Sequence, residues 1–225
     1  MLQPVQNKII IAFWVLAFLD LLGIAAGIEM LHYTVKPLLI PVLILLLLKT
    51  RSTVPGKNLL MTGLFFSWMG DVYLLFENKQ PLFFIFGLAS FLITHIFYIF
   101  YFLRIRSANA SLLKKQPLFI VLVPGYGIML AWLLFPHLGD LKLPVMVYAA
   151  VICTMLLCSL HIYLKVNKKA AFIYVLGAAA FVVSDSLLAI NKFYEPIAYA
   201  GIFIMLTYCA AQYFIVRGYT QQNTQ

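Results

Sequence analysis

Runs of roughly 20 apolar residues follow one another along this chain, separated only by short polar links. A helix that crosses a bilayer needs about 20 mostly apolar residues. Eight stretches fit that description: 9–28, 35–48, 58–76, 82–103, 117–135, 143–164, 170–190 and 196–216. The second is short and either tilts or stops at Lys49. Of the 225 residues, 64% are hydrophobic and only 10% are charged, whereas a soluble domain carries about 25% charged residues. The expected fold is all-α, a polytopic membrane protein with eight transmembrane helices in one domain covering residues 1–225. Pro37, Pro81, Pro117, Pro144 and Pro196 stand near helix starts, where a missing N–H has no intrahelical partner to lose. The first run is too long for the apolar core of a secretory leader and reads as the first span.

Loop charge sets the expected orientation. With the N-terminus inside, the inner segments hold Lys8, Lys49, Arg51, Lys57, Arg104, Arg106, Lys114, Lys115, Lys165, Lys168, Lys169 and Arg217, which is 12 of the 16 basic residues. Only Lys36, Lys79, Lys142 and Lys192 fall outside. Basic residues favour the cytoplasmic side, so both termini are expected there. The net charge of +9 belongs to these loops and does not point to nucleic acid. A multi-pass protein of a bacterial inner (plasma) membrane is expected, with membrane lipids as its surroundings. The polar end, 219–225, reads as a disordered tail. The sequence leaves the oligomeric state open.

Two aspartates interrupt this apolar chain in matching frames. Phe65–Phe76 carries Asp71, and Phe181–Ile190 carries Asp185. A charged residue near the bilayer centre costs about 2.5–3.5 kcal/mol on insertion scales, so it usually has a partner or a task. The two are 114 residues apart, and each is followed by a short loop, a proline (Pro81, Pro196) and an early glycine (Gly87, Gly201). Four spans separate them, which suggests a 4+4 parallel internal repeat with halves 1–114 and 115–225. Each aspartate lies five residues from the outer end of its span, about 7–8 Å below the interface at 1.5 Å per residue. Two carboxyl groups in one dry pocket can act as general acid and as charge stabiliser. The bland alternative is that each aspartate only fixes helix packing.

Other polar residues lie in the apolar spans. Asp20 is a third intramembrane acid, and Lys36 stands at the outer start of the second span, where it reaches inward to a phosphate or outward to lipid. His95 and Tyr98 share one helix face, Tyr208 and Gln212 form an i, i+4 pair, and Tyr148 is isolated on the sixth span. These, with Ser184, either line a polar cavity or bond helices to one another. Cys153, Cys158 and Cys209 lie in apolar runs without CxxC spacing and read as small hydrophobes. No HExxH or GxSxG is present. Neither a metal site nor a serine nucleophile is expected.

Lys36-Pro37, Gly70-Asp71 with Leu74, and Phe86-Gly87-Leu88 with Phe91, His95 and Tyr98 form one half of an ordered set. Gly177-Ala178 with Phe181, Ser184-Asp185, Leu188 and Phe193, then Tyr208 and Gln212, form the other. This set resembles the YhhN-like family of eight-span membrane proteins, which includes the lysoplasmalogenases. The resemblance covers nearly the whole chain. It implies a hydrolase of ether lipid metabolism that cleaves the vinyl ether bond of a lysoplasmalogen. The products would be a fatty aldehyde and glycerophosphoethanolamine or glycerophosphocholine, and no cofactor is needed. Asp71 and Asp185 are the catalytic candidates. Lys36, Asp20, His95, Tyr98, Tyr148, Ser184, Tyr208 and Gln212 are candidates for binding the lysophospholipid substrate. Two further readings are a proton-coupled transporter or lipid carrier using the same acids, and a scaffold in which the aspartates only pack helices.

Overall fold

The computed structural model describes residues 4–51, 53–106 and 111–222. All its regular elements are helical: α1 (Pro4–Ala25), α2 (Glu29–Lys49), α3 (Lys57–Leu75), α4 (Pro81–Ile105), the short α5 (Leu112–Lys115), α6 (Leu118–Leu134), α7 (Lys142–His161), α8 (Lys168–Phe193) and α9 (Ala200–Gln222). Two 3-10 turns, Phe135–His137 and Gly139–Leu141, join α6 to α7. The large apolar side chains left on the surface include Met30, Ile128, Trp132 and Leu143, as suits a protein whose outer face meets lipid. It is an integral membrane protein of the polytopic helical class.

Seven of these segments are long and apolar enough to cross a membrane, rather than the eight expected. The exception is α3, which has only 19 residues and includes Lys57, Asn58, Ser67 and Asp71. It packs between α2 and α4 and runs antiparallel to α4. Along that seam Gly63 faces the Tyr98 ring, Gly70 faces Phe91 and Gly87 faces Leu74.

Neighbouring helices close a ring in the order α1, α2, α3, α4, α7, α8, α9 and back to α1. Helix α6 stands outside it, against α7 and α8. Its interior positions Gly127 and Leu134 are buried, and most of its other residues are not. The main core fills the ring and joins Phe13, Leu43, Leu64, Tyr98, Phe181 and Ile215, among others.

The turn after α1 shows how the ring begins. Gly27 takes a left-handed φ of 67°, and Ile28 N–H donates to the Gly23 carbonyl at 2.8 Å. This is a glycine helix stop, and it sends α2 back along α1. Helix α2 therefore starts at Glu29, not near residue 35, with a carboxylate in its first turn where the helix dipole favours negative charge.

Pro37 and Pro41 consequently lie inside α2. Pro41 has no N–H to give the Pro37 carbonyl four residues back. Trp68 of α3 fills that vacancy: its Nε1–H donates to the Pro37 oxygen at 2.9 Å. Trp68→Phe is expected to lower stability by about 1 kcal/mol, the net worth of one such bond. Its thermal midpoint in detergent, compared with wild type, measures this.

Prolines mark other boundaries less uniformly than the sequence suggests. Pro81 opens α4, Pro117 caps α6 and Pro144 lies in the first turn of α7. Pro196 precedes α9, which starts four residues later at Ala200. At its other end α9 continues to Gln222, with Tyr219 fully buried. Its ring neighbours Tyr101, and the Tyr101 and Tyr174 hydroxyls hydrogen-bond each other. The expected tail is thus helical through 222, while 223–225 lie outside the described residues.

Candidate active site

The three aspartates inside the α-helices, Asp71, Asp185 and Asp20, sit in two hydrogen-bonded groups and an outlying pair. The first joins α3, α4 and α9. Asp71 is 2% exposed. Tyr208 donates its hydroxyl to Asp71 Oδ2 at 2.5 Å and lies 2.8 Å from Ser67 Oγ. Gln212 Nε2 donates to Ser67 Oγ at 2.5 Å, and Gln212 Oε1 accepts from Tyr98 Oη at 2.7 Å. Helical spacing explains the layout: Ser67 and Asp71 are four apart on one face, as are Tyr208 and Gln212 on the facing helix.

The second group joins α4, α7 and α8. Asp185 Oδ2 accepts from Tyr148 Oη at 2.6 Å and lies 3.0 Å from His95 Nε2. His95 Nε2 is also 3.1 Å from the Tyr148 hydroxyl. His95 is fully buried, and its Nδ1 has no partner among the described residues. The Asp185 side chain is 17% exposed. It opens on a cleft of about 50 Å³ between α6, α7 and α8, which also touches Tyr148 and Ser186.

Phe181 stands between the two groups. Its ring centroid is 5.1 Å from that of His95 and 6.0 Å from those of Tyr98 and Tyr208. Among the described residues no hydrogen bond joins Asp71 to Asp185. Glu77 and Lys192, which follow Asp71 and Asp185 in the sequence, pair at 3.2 Å. That contact brings the ends of α3 and α8 together at one end of the bundle.

The outlying pair is Asp20 and His32. Asp20 Oδ1 lies 2.8 Å from His32 Nδ1, and Asp20 Oδ2 is buried without a partner among the described residues. Lys36, expected at a helix start, is buried inside α2, one turn beyond His32. Both Lys36 and Asp20 lie within electrostatic reach of Asp71. Ser184 turns away from the cluster on its own helix and donates to the Ile204 carbonyl at 3.1 Å. Among the described residues no three His, Cys, Asp or Glu side chains converge as a metal-binding group.

Sequence reasoning missed His32, because the second span was expected to start after it. It also missed Tyr126, whose hydroxyl donates to Ser186 Oγ at 2.8 Å beside the cleft. The signal for His32 was its spacing, four residues before Lys36.

A model of the YhhN family matches residues 31–219. The chain belongs to the YhhN family. Among curated proteins it is similar to the human lysoplasmalogenase TMEM86A, with 32% identity over 166 residues, covering 70% of this chain and 63% of the relative. Human lysoplasmalogenase TMEM86B is 33% identical over 159 residues, 70% of this chain and 62% of the relative. A lysoplasmalogenase of Mycobacterium tuberculosis (strain CDC 1551 / Oshkosh) is 33% identical over 144 residues, covering 60% and 51%. The chain thus spans less than two thirds of the length of these relatives. No solved structure matches it. The family match takes in Lys36, Asp71, His95, Tyr148, Asp185, Tyr208 and Gln212 and leaves Asp20 outside.

Proposed function

We propose that this YhhN-family protein hydrolyses the vinyl ether bond of a lysoplasmalogen, releasing a fatty aldehyde and a glycerophospho-alcohol. The observation that carries the reading is the Asp185 carboxylate at the wall of a cleft, with Tyr148 and His95 both on Oδ2. Oδ1 takes no hydrogen bond among the described residues and is free to meet a ligand. Membership of a family with lysoplasmalogenases among its matched relatives supplies the substrate class.

The chemistry requires little apparatus. A proton adds to the β-carbon of the enol ether and the double-bond electrons form the new C–H bond. Positive charge then rests on the carbon bonded to oxygen. Water attacks that carbon and loses a proton, and the hemiacetal collapses to aldehyde and alcohol. Paired carboxyl groups do the same two jobs for the oxocarbenium-like transition state of glycoside hydrolysis. Here Asp71 and Asp185 are the acid and the charge stabiliser. Two hydrogen-bonding side chains on one Asp185 oxygen suit the stabilising role, since they hold the carboxylate against the developing cation. The reading requires the enol ether to lie between the two groups that Phe181 separates.

His95 and Tyr148 orient Asp185. Tyr208, Ser67, Gln212 and Tyr98 orient Asp71 in the same way, and Ser184 fixes α8 against α9. Lys36, with Asp20 and His32 nearby, binds the phosphate. The cytoplasmic termini and the plasma membrane location stand as part of this reading.

Purified protein given a lysoplasmalogen in mixed micelles is expected to release fatty aldehyde. Passage of the intact lipid across a liposome wall, with no aldehyde formed, would sink the hydrolase reading in favour of a carrier. Lys36→Gln is expected to raise KM by about tenfold with little change in kcat, because it removes a contact common to ground and transition states. Steady-state kinetics at several lipid fractions checks it.

A further inference from the structure

The small cleft at Asp185 is not isolated. On the far side of the α6–α7 seam lies a groove of about 640 Å³, within the roughly 300–1,000 Å³ typical of small-molecule sites. Gly127, Ala131, Ala149 and Cys153 line both spaces. The partition between them is therefore made of the smallest side chains on these helices. A Cβ added to Gly127 would lie 2.7 Å from Cys153 Sγ, so α6 and α7 touch there. Any larger residue at 127 would push into the thiol. Across the seam, Trp132, Ile128 and Met146 form the apolar outer rim.

We infer that the α6–α7 groove holds the hydrocarbon chain of the lysolipid and presents its head-group end to Asp185 across the partition of small side chains. The assignment rests on the hydrolase reading for the identity of the lipid. Three observations support this occupant over a generic apolar contact. The groove shares four lining residues with the cleft that touches Asp185 and Tyr148. Its lining is apolar apart from Thr154, which suits a saturated chain and no head group. It also lies under α6, the helix outside the closed ring, so a chain can enter sideways from the bilayer without opening the core. The 50 Å³ cleft has no room for the chain itself, so the chain stays in the groove and only the reacting end crosses the partition.

Two measurements test this. In the first, Ala149→Leu and Ala131→Leu narrow the groove beside the partition. The ratio of kcat/KM for a long-chain over a short-chain lysoplasmalogen is expected to fall by about tenfold or more, the scale of a few misplaced methylenes. Gly125→Leu, on the same helix with open space around it, is expected to keep the wild-type ratio. An unchanged ratio in both alanine variants overturns the assignment.

The second measurement needs no turnover. A 1-alkyl lysophospholipid with a diazirine at the chain terminus is bound to wild-type protein, irradiated, and the labelled peptides are mapped. Label on α6 and α7 that excess unlabelled lysoplasmalogen removes is expected. Label on other helices, label that does not compete (annular lipid), or a dimer that covers this seam each overturns it. If the wild type labels as expected but releases no aldehyde, the groove stands and the proposed reaction falls.

Discussion

Asp185→Asn is expected to cut aldehyde release by about 10²–10⁴-fold, the usual contribution of a positioned acid or base. The substitution keeps the shape and an acceptor oxygen for Tyr148 and His95, so helices α4, α7 and α8 remain joined. It removes the negative charge that the proposed cation needs. Tyr148→Phe keeps that charge and deletes one of the two polar contacts, so a smaller loss of roughly tenfold is expected on the scale of one such bond. A purely structural Asp185 predicts another pattern, in which activity falls only as far as the folded fraction does. Measuring kcat and the thermal midpoint on the same detergent samples separates the two. Full activity with an unchanged midpoint in both Asp185→Asn and Asp71→Asn would remove the carboxylate mechanism.

Much of this fold was legible because hydrophobicity sets helix position in a membrane chain almost alone. The apolar runs gave every long helix within a few residues at most ends. Two of the larger departures have physical causes. Helix α2 begins at Glu29 because Gly27 stops α1 and a tryptophan from α3 repairs the proline break, which a reading of proline as a helix start cannot foresee. Helix α9 runs on to Gln222 because Tyr219 and Gln222 pack and bond at the Tyr101–Tyr174 contact; polar composition suggested a loose end, and tertiary contacts decided otherwise.

The site was legible in its members more than in its wiring. Helical spacing put Ser67 beside Asp71 and Tyr208 beside Gln212, and those pairs meet. Nothing in the spacing on α8 said that Asp185 would take His95 and Tyr148, from helices 90 and 37 residues away. Nor did it say that an aromatic ring would stand between the carboxyl groups. Shared depth is a one-dimensional property of a sequence. Facing direction depends on how seven helices rotate when their small residues find each other.

That dependence makes the glycine of the α8–α9 seam a sensitive point. Gly177→Leu is expected to destabilise the protein by about 3 kcal/mol, the upper end for overpacking a tight contact. A Cβ at 177 would lie 3.0 Å from the Ile215 backbone nitrogen and 3.1 Å from the Ala211 carbonyl oxygen. Those atoms belong to the α9 helix itself and cannot swing aside as a side chain can. Small residues are what let membrane helices approach this closely, since lipid offers no hydrophobic force to press them together. The two helices must therefore separate, and Tyr208 moves with α9 away from Asp71. A drop in thermal midpoint together with lost activity is expected for Gly177→Leu. Gly125→Leu, with no atom within 4 Å of its added Cβ, should leave the midpoint near wild type. If the two leucine variants melt alike, backbone contact at Gly177 does not hold α8 on α9.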